Sequence, residues 1–169
     1  MKNFQGGGKM AIEKVREYFK GFGLDGKILE FDVSSATVEL AAKALNVEGE
    51  RIAKTLSFRG KDGSAFLVVS AGDAKIDNAK FKHTFLVKAK MLTPDEVLAE
   101  TGHAVGGVCP FAVPAGVKTY IDSSVYRFET VFPACGSSNS AIELTPDELY
   151  KYANAVSRVD VCKLPETKE

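Results

Sequence analysis

The sequence predicts a mixed α/β (α+β) fold: a central sheet of about seven short strands, curled and partly barrel-like, with four or five helices around it. Three observations lead there. Strand-like and helix-like segments are mixed without the regular alternation of a doubly wound parallel fold. One segment pair reads clearly as a hairpin, and two stretches carry complete helix-start signals. No linker-like stretch divides the chain, so residues 10–169 are expected to form a single domain.

The elements follow in order. Residues 1–9 are glycine-rich and precede a second methionine at Met10, which reads as a flexible leader or cloning remnant. Ile12, Val15, Phe19 and Phe22 recur at helical spacing, and Gly21 and Gly23 end the run. Lys27 to Phe31 reads as a short strand. Ser34 and Ser35 offer N-caps for a helix through Thr37, Ala41 and Leu45, stopping near Asn46. Lys54 to Phe58 alternates with period two and is separated from Ala65 to Ser70 by a loop ending in Asp62-Gly63, a hairpin turn signal.

A helix is expected from about Asp77, and a strand over Phe85 to Lys90. Thr-Pro-Asp-Glu occurs at Thr93 and again at Thr145. Each places threonine at the N-cap, proline at the first helical position and glutamate where it closes a capping box. Their flanks share nothing, so these are helix starts and not a repeat. Short strands are expected at Val117 to Ile121, Thr130 to Phe132 and Ile142 to Leu144. The last helix should run from Pro146 to about Val156, followed by Val159 to Val161.

Composition narrows the function class. The chain has 169 residues, 45% hydrophobic and 26% charged, ordinary values for a globular protein able to bury a core without staples. Basic and acidic residues balance at 22 each, whereas a dedicated nucleic-acid binder carries a basic excess. Any RNA contact must rest on a local patch and be weak and salt-sensitive. The three cysteines are widely spaced, no secretory signal is seen, and no run approaches the roughly 18 apolar residues of a membrane helix. A soluble, cytoplasmic protein without membrane contact is the expectation. His83, His103 and the cysteines share no metal-ligand spacing, and no Walker loop or GxGxxG fingerprint occurs. Neither a metal nor another cofactor is predicted.

Several residues could carry chemistry. Strand phase puts Lys54 on one face with Leu56 and Phe58, near the strand end. Its amine must reach a cavity mouth or find a partner, since burying an unpaired ammonium is costly; the bland alternative is a strand-end lysine lying along the surface. Gly106-Gly107-Val108-Cys109-Pro110 is a stiff loop whose glycines permit positive φ and close approach of a ligand to backbone N–H groups, or else a tight structural turn. Gly136, Ser137 and Ser138 lie in a run of small and hydroxyl residues suited to a pocket lining or a solvated loop. Cys109 near His103 raises a thiol–imidazole pair, set against the commoner role of free cysteine as a small buried hydrophobe.

Three stretches together resemble the YbaK family, free-standing relatives of the editing insertion domain of bacterial prolyl-tRNA synthetase. They are Arg51 to Phe58, Gly102 to Phe111, and Ala134 to Leu144, in matching order and spacing. The resemblance covers about Ile12 to Leu164. It implies a partly barrel-like mixed sheet and hydrolysis of the ester linking a small amino acid to the terminal adenosine of tRNA. It also implies that Lys54 is the needed lysine, that Gly106 and Pro110 lie on the family's GxxxP loop, and that neither triad nor metal takes part. Lys54 is then assigned to charge stabilisation, and the Gly106 and Gly107 amides to the ester or amino-acid carbonyl. Val108, Cys109, Pro110, Gly136, Ser137 and Ser138 are assigned to substrate binding.

Some relatives carry an aspartate just before the residue matching Ile142, where Ala141 stands here, so the amino acid removed stays open. The implied partner is the acceptor end of aminoacyl-tRNA, delivered by a synthetase or elongation factor. Two other readings remain: an inactive tRNA- or synthetase-binding module of the same fold, and a cysteine-dependent thioesterase or amidase.

Overall fold

The structure is a computed structural model and describes residues 10–166; the predicted leader lies outside them. Hydrophobic spacing sets α1, Ala11–Lys20, with Val15 and Phe19 buried, Gly21 at its end and Gly23 at φ 72°. A turn at Asp25–Lys27 shortens the expected strand to β1, Leu29–Glu30. Helix α2, Val38–Leu45, is capped by Thr37, whose hydroxyl accepts the Leu40 N–H. Ser34 and Ser35 do not cap it: the Ser34 hydroxyl accepts the Ala36 N–H, and the Ser35 N–H donates to the Ser138 carbonyl. Asn46 closes the helix in the left-handed region, as its position in the sequence suggested.

The hairpin forms as expected, from β2, Ile52–Arg59, and β3, Ala65–Ala71, with Lys54 opposite Ser70 and Phe58 opposite Phe66. β4, Lys75–Ile76, leads into α3, Asn78–Phe85, capped by Asp77. The strand predicted over Phe85 to Lys90 is absent. Phe85 is still helical, Leu86 ends α3 in the left-handed region, and the chain regains strand pairing only at a bridge between Met91 and Phe58. The apolar residues of this stretch pack on the core without strand pairing, Phe85 from the helix end and Val87 and Ala89 from irregular chain.

α4, Pro94–Thr101, and α5, Pro146–Tyr152, both start with the expected capping boxes from Thr93 and Thr145. Helix α5 stops short of Val156, because Ala153 caps it and Asn154 turns left-handed. Between them lie β5, Lys118–Asp122, β6, Phe132–Pro133, and β7, Ser140–Ala141. The strands expected at Thr130 to Phe132 and Ile142 to Leu144 are thus shifted, and Val131 and Leu144 meet in an isolated bridge. The chain ends in β8, Ser157–Val159, and β9, Cys162–Lys163.

The result is a mixed α+β fold around a five-stranded sheet in the order β6-β2-β3-β5-β8. β2 and β3 are antiparallel; β6 joins β2, β5 joins β3, and β8 joins β5 in parallel. Bonds linking Ile142 to Pro133 and Val131 to Leu144 carry the hydrogen-bonded layer from β6 toward the β1–β7 ribbon, so the layer bends round. β3 is buried at every position, which its apolar run Ala65 to Val69 fits.

Alternation sends side chains to two cores. On one face, Ala53 and Val69 pack with Val15, Phe19 and Leu149 of α1 and α5. On the other, Phe58 and Phe66 pack with Phe81 of α3, ring centroids 4.8 to 6.0 Å apart. Each such aromatic pair contributes about 0.5–1.5 kcal/mol beyond its buried area. The buried Asp122 carboxylate accepts the Ser124 and Val161 N–H groups, which ties the end of β5 to the approach to β9. Both faces of the sheet are covered, and the outer edge of β2 is paired by β6 over two residues.

Candidate active site

That edge is uneven. β6 pairs with β2 only at Ile52 and Ala53. Further along, the Arg59 N–H donates to the Lys90 carbonyl, and the Ser57 carbonyl accepts the Leu92 N–H. Between these two stitches the edge of β2 is open at Thr55. A cleft of about 300 Å³ lies along it, at the small end of ligand pockets. One wall is the α2 approach from Ser35 to Val38, a second is the Met91 to Val97 segment, and a third is formed by Val105, Gly106 and Val108. Phe132, Ala134, Ser140 and Ala141 close it near β6 and β7.

Lys54 lines this cleft, half-buried. Strand phase puts its side chain on the face of Leu56 and Phe58, as the sequence predicted. The amine donates to the Gly72 carbonyl at 3.4 Å and to the Ala74 carbonyl. An ammonium has three donors, so one is left over. Burial holds the Lys54 pKa below the ordinary lysine value; Cys162 and Asp73 nearby push it up, and Lys75 pushes it down. The amine is therefore a desolvated charge, stronger in its effect on a neighbour than one in bulk water.

Gly106 lines the cleft at φ 98°, where an added Cβ would come within 3.2 Å of the Ala36 Cβ. Gly107 does not line it. Its N–H donates to the Ala104 carbonyl, and a Cβ there would lie 2.8 Å from the Ser137 nitrogen. The expected pairing of both glycine amides with a carbonyl substrate fails for Gly107, whose missing side chain serves loop–loop packing.

Of the expected binding residues, only Val108 reaches the cleft. Cys109 and Pro110 are buried behind it. Gly136 turns at φ 95° against α1, where a Cβ would meet the Ala11 carbonyl carbon at 2.9 Å. The Ser137 hydroxyl lies 2.9 Å from Asn139 Oδ1 and 2.7 Å from the Ser140 hydroxyl, and the Ser138 carbonyl accepts the Ser35 N–H at 2.6 Å. The Gly136–Ser138 loop thus braces two cleft walls, at Gly106 and at Ser35. Its effect on the cleft is indirect.

The family model for the aminoacyl-tRNA editing domain matches residues 33–152. This chain belongs to that family. The motifs had pointed to the same YbaK-type family. "Uncharacterized protein YwhH" of Bacillus subtilis (strain 168) is 53% identical over 154 residues, covering 91% of this chain and 98% of the relative. "Putative Cys-tRNA(Pro)/Cys-tRNA(Cys) deacylase EbsC" of Enterococcus faecalis (strain ATCC 700802 / V583) is 27% identical over 70% of this chain and 73% of its own. Among solved structures, "Crystal structure of a putative trans-editing enzyme for prolyl tRNA synthetase" superposes with a TM-score of 0.80 at 26% identity, covering 95% and 99% of the two chains.

In this editing domain the thiol–imidazole pair does meet, with Cys109 Sγ 3.5 Å from His103 Nε2. The arrangement cannot make a thiolate. His103 Nε2 lies 2.8 Å from the Phe111 carbonyl, which only accepts, so Nε2 carries the hydrogen and has no lone pair for the thiol proton. Burial pushes Cys109 up to about 12 and lowers His103. All three cysteines are free and buried, with burial raising each thiol. We expect none of the three to react with a thiol reagent at pH 8 in the folded protein, and all three to react in guanidinium. A fast-titrating thiol in the native state would revive the cysteine mechanism.

Among the described residues no cluster of three His, Cys, Asp or Glu side chains could hold a metal ion, and no helix is long and apolar enough to cross a membrane. The walls at Ser35 to Val38 and Met91 to Val97 contain the starts of α2 and α4. Their caps were visible, but nothing in their chemistry marked them as walls.

Proposed function

We propose that this editing domain is a trans-acting hydrolase that cleaves the ester of mischarged aminoacyl-tRNA carrying a small amino acid. The observation that carries the reading is the presence of Lys54 and Gly106 on the walls of one confined cleft. An aminoacyl ester is already activated, so positioned water and a stabilised oxyanion suffice for turnover. The Lys54 ammonium supplies charge at the ester carbonyl or the terminal adenosine. Small residues, among them Ala36, Ala53, Ala134 and Ala141, leave a little room beside it. Such a pocket rejects bulk but separates a methyl from a hydroxyl weakly, by about 10²-fold.

The names of the relatives support the reaction class, one being "Putative Cys-tRNA(Pro)/Cys-tRNA(Cys) deacylase EbsC" and another "a putative trans-editing enzyme for prolyl tRNA synthetase". With balanced charge overall, the domain grips the acceptor end only, and a synthetase or elongation factor delivers the rest of the tRNA in the cytoplasm. The test is a panel of tRNAs charged with alanine, proline, cysteine, serine or threonine. Release of at least one amino acid well above the uncatalysed rate is expected. Release of none would end the hydrolase reading in favour of a binding module.

A further inference from the structure

The open edge of β2 has a geometry the family assignment does not explain. Along a strand, the N–H and C=O of one residue point to the same side, and successive residues alternate. Ser57 and Arg59 direct theirs outward, to Leu92 and Lys90. Two residues back, Thr55 must direct its own N–H and C=O outward too. The β6 partner ends opposite Ala53, and no backbone bond from the 90–92 segment reaches Thr55. Thr55 is thus a one-residue gap in an otherwise stitched edge, and it lines the cleft. A second observation falls on the same residue: the buried Thr55 Oγ1 has no hydrogen-bond partner among the described residues.

An unpaired backbone donor and acceptor beside mostly apolar walls amount to a site for one more strand residue. In an antiparallel hydrogen-bonded pair, two residues exchange both N–H···O bonds. An α-aminoacyl ester offers that complement: an ammonium as donor and a carbonyl as acceptor on adjacent carbons. The geometry points to Thr55 as a main-chain clamp for the aminoacyl group, a role that rests on the proposed hydrolase reading. The substrate α-ammonium donates to the Thr55 carbonyl, and the scissile carbonyl accepts the Thr55 N–H. The amino acid docks as a one-residue strand and fills the gap.

The clamp has a catalytic consequence. Water adds to the scissile carbonyl carbon, the ester C–O bond breaks, a water proton passes to the ribose oxygen, and the released acid ionises to solvent. The carbonyl oxygen carries the negative charge in the intermediate, with the Thr55 N–H already aimed at it. This supplies the directional donor that Gly107, engaged with Ala104, does not. It also favours a free α-ammonium, a stronger donor to the Thr55 carbonyl than an acylated nitrogen, which a site holding the ester alone would not do.

The experiment repeats the five-member panel with each aminoacyl-tRNA in free and N-acetylated form, every rate taken relative to its uncatalysed hydrolysis. Acetylation removes the charge and replaces the compact donor with a bulky amide. We expect the acetylated forms to be cleaved at least about 10-fold more slowly, because the amide N–H that remains has lost the charge that strengthens its bond to the Thr55 carbonyl, and the acetyl group adds bulk in a small cleft. Equal cleavage of both forms, within about threefold, would overturn the clamp while leaving the hydrolase reading intact. A second arm replaces the Thr55 backbone amide with an ester, which deletes its N–H. Turnover of the free forms should fall about 10²-fold with a cooperative melt retained. An unchanged rate in that protein would remove Thr55 from the reaction.

Discussion

Lys54→Ala is expected to lower kcat/KM for the best-cleaved aminoacyl-tRNA by about 10²–10³-fold, the usual cost of losing one preorganised stabiliser of developing charge. The fold should survive. Lys54 is half-buried, and its bonds go to the backbone carbonyls of Gly72 and Ala74, with no side-chain partner left unpaired by its loss. Removing a desolvated ammonium also relieves part of a burial penalty. A circular-dichroism melt alongside the kinetics separates loss of chemistry from loss of structure. A variant as fast as wild type would take Lys54 out of the mechanism, though not the cleft.

The same amine predicts a pH profile. Burial favours the neutral form, so Lys54 sheds its proton at a lower pH than an ordinary lysine. Below that pKa the amine is charged and turnover is full; turnover falls as pH rises through it. After subtraction of uncatalysed hydrolysis, the alkaline limb should therefore begin earlier than a surface lysine would give. It should vanish in Lys54→Ala.

Gly72→Ala is expected to be the most damaging single substitution to the scaffold. An added Cβ would stand 2.0 Å from the Gly49 carbonyl oxygen and 2.9 Å from Val38 Cγ1. The Gly49 carbonyl cannot easily retreat, because it accepts the Ile52 N–H at the start of β2. Either that bond breaks or the turn after β3 moves away. The cost should be about 3 kcal/mol or more, at the upper end for overpacking, or roughly 6–12 °C in Tm for a chain this long. The damage reaches the site, since Val38 and Ile52 line the cleft and the Gly72 carbonyl holds Lys54. A melt within about 2 °C of wild type would mean the approach is looser than the geometry states.

Gly72 shows why part of the site was not legible in the sequence. It sits in Ala71-Gly72-Asp73, an ordinary strand-end glycine by sequence, and its need arises from a chain segment more than twenty residues earlier. Gly107 was misread for the same reason. Its pattern fits a ligand-binding turn, yet the contact that forbids a side chain there is with Ser137. Cys109 and His103 were close in sequence and proved close in space, but only the Phe111 carbonyl reveals that the pair is inert. The cleft walls at Ala36 and Met91 carry no chemical signature, because a wall is defined by what it faces.

Local rules were decisive elsewhere. Thr93 and Thr145 start helices because a threonine hydroxyl and the glutamate three residues later satisfy backbone donors that no distant residue is needed to reach. The β2–β3 hairpin follows from alternation and an Asp-Gly turn. The three motifs carried the family, and strand phase alone put Lys54 on the face of Leu56 and Phe58. Short-range backbone and side-chain preferences, and order along the chain, are all that these require. Where β6 stops pairing, where the 90–92 segment rejoins the edge, and hence which residue is left open at Thr55, depended on segments dozens of residues apart meeting in three dimensions. A gap in a sheet is a property of its neighbours, so only the tertiary structure could decide it.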